Sequence, residues 1–230
     1  MSDWAPRRFW TTASAERAGD GWTVTLDGRA VKSPAKSLLT VPTRALAERI
    51  AAEWDAQEAR IDPAAMPLTR MANSALDKVP PQRSEIAEML AEYGDADLLC
   101  YRADSPAELV ARQADAWDPL LDWAEERYGA RLVARTGIMH APQDEAALRR
   151  LAVPVHALPD FELAAFHDLV TLSGSLVIGL AASEGRAEPD TLWPASRIDE
   201  RWQAELWGED DEAQAAAAAR EAGFRLAFEA

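Results

Sequence analysis

The hydrophobic pattern of this chain changes once, within residues 53–77. Before this stretch, most apolar residues alternate with polar ones between turn signals, which is typical of short strands. After it, apolar residues recur three and four positions apart, which is typical of amphipathic helices. The chain is therefore predicted to be an α+β protein. A small N-terminal domain with an antiparallel sheet plus a helix should precede a larger all-helical C-terminal domain.

Two domains are compatible with a length of 230 residues. Residues 1–66 are predicted to form the N-terminal α+β domain, and residues 67–230 the helical C-terminal domain. Residues 131–158 contain a possible extra strand at 131–138, which would return to the N-terminal sheet. That segment could therefore pack on the first domain instead of the second.

Turn signals divide the N-terminal part into predicted strands. Phe9-Trp10-Thr11 is predicted to be the first strand. Residues 22–26 alternate, and Asp27-Gly28 then supplies the two-residue turn of a hairpin. A further strand is predicted at residues 38–41, before Pro42.

A helix is predicted from the N-cap Thr43 to about Gln57, because Leu46, Ile50 and Trp54 share one face. We expect Trp54 to hold this helix against the sheet. Its replacement by a polar residue should destabilise the fold by roughly 3–5 kcal/mol, as large-to-small core changes do.

The remainder is predicted to be mostly helical. Helices are expected at residues 68–79, 84–94, 105–128 (with a restart or kink at 118–119), 143–151 and 160–183. The last is the most apolar, and Gly174 and Gly179 should allow it to pack closely against its neighbours.

The C-terminal region is acidic. A capping box at residues 196–199 is predicted to open a helix that ends at Trp207-Gly208, and residues 209–212 should open the final helix. Residues 198–212 contain seven acids and one Arg. Two interpretations remain open: acids at a helix start and on a solvated face, or a docking surface for a basic partner with tryptophans as anchors.

Composition excludes several classes of function. The net charge of −15 disfavours binding to nucleic acid or to an anionic membrane surface. The single Cys100 excludes an internal disulfide, fits a reducing compartment and is predicted to be a buried thiol. No signal peptide or membrane-spanning stretch is evident. Sequence motifs of catalysis and cofactor binding are also missing. Phosphate-cradle, dinucleotide and nucleophile-elbow motifs are absent, and the three histidines (140, 156 and 167) lack metal-ligand spacing. No catalytic residue, cofactor or metal is therefore predicted.

Three segments carry a resemblance to a known family. They are residues 26–31 with 42–47, residues 53–57 with 66–77, and residues 203–212. In these segments, in order and at the family's spacing, the chain resembles the ATP synthase assembly chaperones that attend the alpha subunit of the catalytic head. The resemblance implies a non-enzymatic, ATP-independent chaperone that shields unassembled alpha subunit until the beta subunit displaces it. The free protein is expected to be a monomer. The absence of a transit peptide indicates a bacterial cytoplasm.

The resemblance directs attention to two groups of residues. The client-binding candidates are Glu200, Gln203, Glu205, Trp207, Gly208, Glu209 and Asp210. The structural candidates are Trp54, Asp55, Leu68 and Asn73. Two other interpretations remain: a carboxylate-dependent enzyme with a site in the interdomain cleft, and a permanent subunit of the ATP synthase.

Overall fold

The computed structural model describes residues 7–208 and 210–230. The chain forms two compact units. The first contains the described residues up to Arg83 together with Pro159–Ala164 and Ala230, and the second contains residues 84–158 and the described part of 165–229. The domain boundary predicted after residue 66 stays a prediction.

The first unit is built on a four-stranded antiparallel sheet. Its strands are β1 (Ala13–Ala18), β2 (Gly21–Leu26), β3 (Arg29–Ala30) and β4 (Thr40–Val41). Strand β2 is central, because β1 pairs along its whole length while β3 and β4 pair with its two ends. The predicted antiparallel sheet is confirmed.

The β2–β3 turn confirms the predicted hairpin and explains an error nearby. Asp27 and Gly28 have φ values of 47° and 77°, as a two-residue hairpin turn requires. The Asp27 carboxylate accepts the backbone N–H groups of Thr11 and Thr12, at 3.0 Å each. These bonds lower the pKa of Asp27. The predicted strand at 9–11 is wrong, because these amides bind a side chain and the first strand begins at Ala13.

Two helices complete most of the first unit: α1 (Arg44–Asp55) and α2 (Pro67–Asp77). Thr43 caps α1 as predicted, since its Oγ1 accepts the N–H of Leu46 at 3.1 Å. Leu46 and Ile50 are buried in the core. The Trp54 ring is half-buried and meets the Trp10 ring edge-on, with the centroids 5.2 Å apart.

The second unit is mostly helical. Helices α3 (Val79–Ala91) and α6 (Asp160–Ser173) contribute residues to both units. The other elements of the second unit are β5 (Tyr101–Arg102), α4 (Ala107–Tyr128), β6 (Arg135–Thr136), α5 (Glu145–Ala157), α7 (Leu176–Ser183), α8 (Pro189–Ala195), α9 (Ile198–Trp207) and α10 (Asp211–Phe228). A small sheet-and-helix part followed by a larger helical part confirms the predicted fold class.

Helix α4 packs against three other helices of the second unit, α7, α8 and α9. Its Trp117 is fully buried and donates from Nε1 to the carbonyl oxygen of Ala195 at 2.7 Å. The helix continues through Pro119, so of the predicted restart or kink the restart is wrong, and the kink stays a prediction. It ends at Gly129, in the left-handed conformation at φ 64°, as predicted.

The predicted long helix at 160–183 is two helices. Gly174 adopts φ 76°, which ends α6, and Ser175 Oγ caps α7 by accepting the N–H of Ile178 at 3.0 Å. Gly179 does permit close packing, because a Cβ there would lie 2.6 Å from Cγ2 of Val170. The local signal at Gly174 was thus a helix stop and not a packing site.

The segment after α4 also differs from the prediction. The strand expected at 131–138 is limited to β6, which pairs in parallel with β5 inside the second unit and not with the N-terminal sheet. The Gln143 side chain hydrogen-bonds to both backbone polar groups of Val133. Its Oε1 accepts the Val133 N–H at 2.8 Å, and its Nε2 donates to the Val133 oxygen at 3.0 Å. Helix α5 passes the predicted end at residue 151 and continues through Pro154.

A buried carboxylate, Asp97, links two elements of the second unit. One oxygen accepts the N–H of Leu99 and the other accepts the N–H of Val177 at the start of α7, both at 3.0 Å. Burial raises the pKa of Asp97 to about 6, although these hydrogen bonds act in the opposite direction. Cys100 is buried as predicted, and burial raises the pKa of its thiol to about 12.

No helix in the part of the chain that the structure describes is long and apolar enough to cross a bilayer.

Candidate functional site

Helix α9 carries most of the predicted client-binding residues and is anchored on α4. Its Trp202 is 8% exposed, and the guanidinium of Arg112 on α4 lies 4.8 Å from the Trp202 ring centroid. Gln113 of α4 donates to Asp199 Oδ1 at 2.6 Å. The predicted capping box is wrong, because Arg197 occupies the N-cap position without a side-chain bond and Asp199 binds Gln113 instead.

Five of the predicted client-binding residues line one groove of about 630 Å³ between α9 and α10. They are Glu200, Gln203, Trp207, Gly208 and Asp210. The groove is otherwise largely apolar on its inner surface, which includes Trp193 and four alanines, Ala204, Ala213, Ala217 and Ala218. We call it the α9–α10 groove.

Helical spacing explains which residues meet in this groove. Glu200, Gln203 and Trp207 lie three and seven positions apart, and therefore on one side of α9. Gly208 then ends the helix at φ 87°, with its N–H bound to the Ala204 oxygen at 2.9 Å. Asp210 caps α10 by accepting the N–H of Ala213 at 3.0 Å. The acids at the start of α10 therefore have a structural role in addition to any binding role.

Trp207 is the most exposed tryptophan that the structure describes, with 78% of its surface accessible. Leu206 beside it is 56% exposed. Four other tryptophans are less than 9% exposed and belong to the core: Trp10, Trp117, Trp193 and Trp202. An exposed indole at the edge of an apolar groove is typical of a partner-binding anchor.

Glu205 lies on a different side of α9. Both of its carboxylate oxygens bind Nη1 of Arg112, at 2.9 and 2.8 Å, and Arg112 Nη2 binds Glu108 at 2.8 Å. These hydrogen bonds raise the pKa of Arg112, and the bond to Glu205 has the larger effect. Glu205 lines another groove, of about 740 Å³, beside α4 and α8. The structure thus separates Glu205 from the other candidates.

The remaining client-binding candidates differ in their local partners. The Glu200 carboxylate binds Nη1 of Arg197 at 2.9 Å, and burial lowers the pKa of Arg197. Glu209 lies outside the described residues. Residues 211–220 of α10 are all exposed, so the α10 side of the groove is a solvated, alanine-rich helix.

The four structural candidates lie in the first unit. Asp55 accepts the N–H of Ala13 at 2.8 Å, and Leu68 is 3% exposed. Oδ1 of Asn73 and Nε1 of Trp54 are buried without a hydrogen-bond partner among the described residues. The structural role of these four stays a prediction.

Sequence reasoning missed two residues that organise their surroundings. Glu53 accepts the N–H groups of Leu68 and Thr69, at 2.6 and 2.8 Å, and thereby caps α2. Arg112 holds α9 through Glu205. The position of Glu53 fifteen residues before Leu68 gave no local capping signal.

Each of the three histidines lies beside one carboxylate. His140 binds Asp95 at 3.3 Å, His156 binds Glu88 at 3.3 Å, and His167 binds Asp168 at 3.0 Å. Among the residues of known placement, no group of three or more His, Cys, Asp or Glu side chains is arranged to hold a metal ion.

Comparison with known proteins shows extensive similarity. A family model described as ATP12 chaperone protein matches residues 7–125. The protein named "Protein atp12, mitochondrial" from Schizosaccharomyces pombe is 25% identical over 219 residues, which are 90% of this chain and 75% of that protein. The crystal structure of Atp12 from Paracoccus denitrificans is 50% identical, with a TM-score of 0.91, and the match covers 97% of this chain and 96% of that chain. The Atu1473 protein of Agrobacterium tumefaciens is 39% identical with a TM-score of 0.91, over 97% and 84% of the two chains.

The fold and these matches define a chaperone with a small sheet-containing part and a larger helical part. This confirms the resemblance seen in the sequence. The chain belongs to the ATP12 chaperone family. The α9–α10 groove lies beyond the residues that the family model matches, but within the length covered by the structural matches. The comparisons give no support to the carboxylate-dependent enzyme that remained as an alternative.

Proposed function

We propose that this chain is an ATP synthase assembly chaperone that binds the unassembled alpha subunit and shields the surface with which alpha meets beta. The beta subunit then displaces it. The chaperone acts without catalysis, ATP or a cofactor, as a monomer when free, in a bacterial cytoplasm. Family membership and the Atp12 relatives support a role in assembly.

The observation that carries the proposal is the exposed Trp207 at an apolar groove whose rim bears Glu200 and Asp210. An apolar side chain of the client enters the groove beside the indole, where water is excluded. Arg197 and Arg201 also line the groove, and Arg197 pairs with Glu200. The attraction for basic residues of the client therefore comes mainly from Asp210 and from Asp211 and Glu212 at the start of α10. Such a surface binds a protein without any chemical step.

Glu205 supports the client site by holding helix α9 in place. Its bonds to Arg112 hold α9 on α4, and α9 presents Glu200, Gln203 and Trp207 to the client. Glu205 is thus a positioning residue of the client site. Its contact with the client is indirect.

The test is co-expression of the chain with the alpha subunit of the same organism, followed by size-exclusion chromatography with and without added beta subunit. A one-to-one complex that separates when beta is added is the expected result. Failure of alpha to co-elute would reject the proposal. Recovery of this chain at fixed stoichiometry in purified ATP synthase would instead make it a permanent subunit.

A further inference from the structure

A second groove, of about 570 Å³, lies in the second unit between α3 and α5. We call it the α3–α5 groove. Its α3 wall carries Glu88, Glu92 and Asp95, of which the last two belong to the turn that follows α3. On the α5 wall, Glu145 and Arg149 pair with each other at 3.2 Å. On the α3 wall, Glu88 and Asp95 each contact a histidine, His156 and His140, at 3.3 Å. Because no arginine or lysine pairs with the three acids among the described residues, the excess negative charge lies along this wall.

The floor of this groove is apolar. It includes Ala91 from α3 and Leu148 and Ala152 from α5, all half-buried. Val153 is 67% exposed and lies four residues after Arg149, so it extends the same side of α5. An aliphatic strip thus runs beside the acidic wall.

The opposite end of the groove adjoins another exposed apolar side chain. Met139 is 82% exposed and shares a small recess with Asp95 and Gln143, both of which also line the groove. Ile138 before it is 90% exposed. These two side chains add apolar surface beside this end of the groove.

One histidine–carboxylate contact and one hydrogen bond join the two sides of the groove, and neither involves Glu92. His156 on α5 binds Glu88 at 3.3 Å, and the N–H of Gln143 binds Asp95 at 2.7 Å. The Glu92 side chain forms no hydrogen bond or ion pair with any residue that the structure describes. The groove is therefore preformed, and Glu92 is an unneutralised carboxylate on its wall.

We propose that the α3–α5 groove binds a basic amphipathic helix of a partner protein. The apolar stripe of that helix lies on Leu148 and Ala152, and its Lys or Arg residues lie on the flank that faces Glu88 and Glu92. The lining residues span seven positions on each wall, which corresponds to about 10 Å or two helical turns. Two turns accept the i, i+4 and i+7 anchors of helix-in-groove binding.

Charge complementarity selects this occupant. A partner with cations on one flank satisfies the acidic wall and leaves the paired Glu145 and Arg149 undisturbed, whereas an acidic helix is repelled. The groove shares no lining residue with the α9–α10 groove, so the inference does not depend on binding of the alpha subunit.

The probe is a fluorescein-labelled helical peptide of about 18 residues, long enough to form a helix. It carries Leu along one stripe and Lys on one adjacent flank. Fluorescence anisotropy with the full chain gives its Kd, and the same peptide with Glu in place of Lys should not bind. Glu88→Lys with Glu92→Lys should weaken binding by about tenfold, because two attractions become repulsions.

A control double variant distinguishes an effect of the groove's acids from an effect of the protein's net charge. Glu58→Lys with Glu126→Lys changes the net charge equally at exposed sites that do not line the groove, and should leave the Kd nearly unchanged. Ala152→Glu adds an acid while filling the floor, and Ala152→Gln fills it without charge. Both should weaken binding, whereas diffuse attraction to an acidic protein would strengthen with Ala152→Glu. Circular dichroism and an unchanged Tm establish that each variant is folded.

The proposal is overturned if the wild-type chain does not bind the peptide. It is also overturned if the two charge-reversal pairs weaken binding equally, or if folded Ala152→Glu and Ala152→Gln bind as tightly as the wild type. Trp207→Ala should leave peptide binding intact. Failure of this groove and failure of the alpha-subunit proposal are therefore distinguishable.

Discussion

Arg112 binds both carboxylate oxygens of Glu205, at 2.9 and 2.8 Å, across 93 positions of sequence. The same guanidinium lies over the Trp202 ring and binds Glu108. One arginine therefore joins two helices through an ion pair and an aromatic face. The family resemblance draws attention to Glu205 as an acid, and the structure places its charge against this arginine.

Glu205→Gln should weaken binding of the alpha subunit by less than Trp207→Ala does. The amide retains one acceptor for Arg112, and the residue does not line the α9–α10 groove. Arg112→Lys, which loses the forked geometry, should produce a similar small loss. Kd values for alpha subunit, measured for both variants, check this. A loss for Glu205→Gln as large as that for Trp207→Ala would place the Glu205 carboxylate in direct contact with the client.

Trp207→Ala should reduce affinity for the alpha subunit by about 30-fold or more, which corresponds to the 2 kcal/mol that defines a binding hot spot. The Tm should not change, because the side chain is 78% exposed. The control is Phe9→Ala, which removes an aromatic ring that is 67% exposed in the first unit. Equal losses from both variants would contradict a specific role for Trp207.

Asp210→Asn and Asp210→Ala separate the cap from the charge. Asparagine retains the N-cap bond to Ala213, whereas alanine removes it at a cost of about 1 kcal/mol in stability. Both remove the negative charge, so both should slow association with the alpha subunit at low salt. Stopped-flow association rates and urea unfolding measure the two effects. An Asn variant that associates at the wild-type rate would show that the acid acts only as a cap.

Gly179→Ala should destabilise the fold by about 1–3 kcal/mol, the range for overpacking of a filled core. The new Cβ would lie 2.6 Å from Cγ2 of Val170. Combined with Val170→Ala, the loss should be smaller than the sum of the two single losses, because the alanine makes room for the new methyl group. Urea unfolding of the single and double variants tests this, and two independent, additive losses would contradict the close contact.

Asp97 should make stability depend on pH in a defined direction. Its pKa in the folded chain is about 6, above the ordinary value of 3.8, so the folded state binds the proton more tightly. The resulting stability is fully present below pH 3.8 and is lost as the pH rises through about 6. Relative to Asp97→Asn, the wild type should therefore lose roughly 3 kcal/mol between pH 3.5 and 7. Urea unfolding of both proteins across that range measures the difference, in which the other titrating groups cancel. A pH-independent difference would contradict the raised pKa.

Local signals predicted the features that depend on a few adjacent residues. Asp27-Gly28, Thr43 and Gly129 each act through their own backbone conformation or side chain, and each lies where the sequence indicated. Errors arose where a distant side chain competes for the backbone. The Gln143 side chain hydrogen-bonds to the backbone of Val133. The Asp27 carboxylate likewise accepts hydrogen bonds from the amides at the end of the strand predicted at residues 9–11.

The candidate site was predictable as a region but not as a surface. Resemblance located the acids around Trp207, and helical periodicity alone could have separated Glu205 from Glu200, Gln203 and Trp207. The partners of those acids could not be read from the sequence, because Arg112 and Gln113 lie on a helix more than 80 positions away. Only the packing of α9 on α4 brings them together.

The exposed first half of α10 gives the α9–α10 groove two unlike walls. On α9, Trp202 is inserted into the interior, and displacing that wall would break core contacts. On α10, side-chain burial begins with the half-buried Glu221 and is complete at Phe224. The preceding turns depend on the helix propensity of alanine and on the Asp210 cap. Displacing the first turns of α10 would therefore break few buried contacts, whereas displacing α9 would break the core contacts of Trp202.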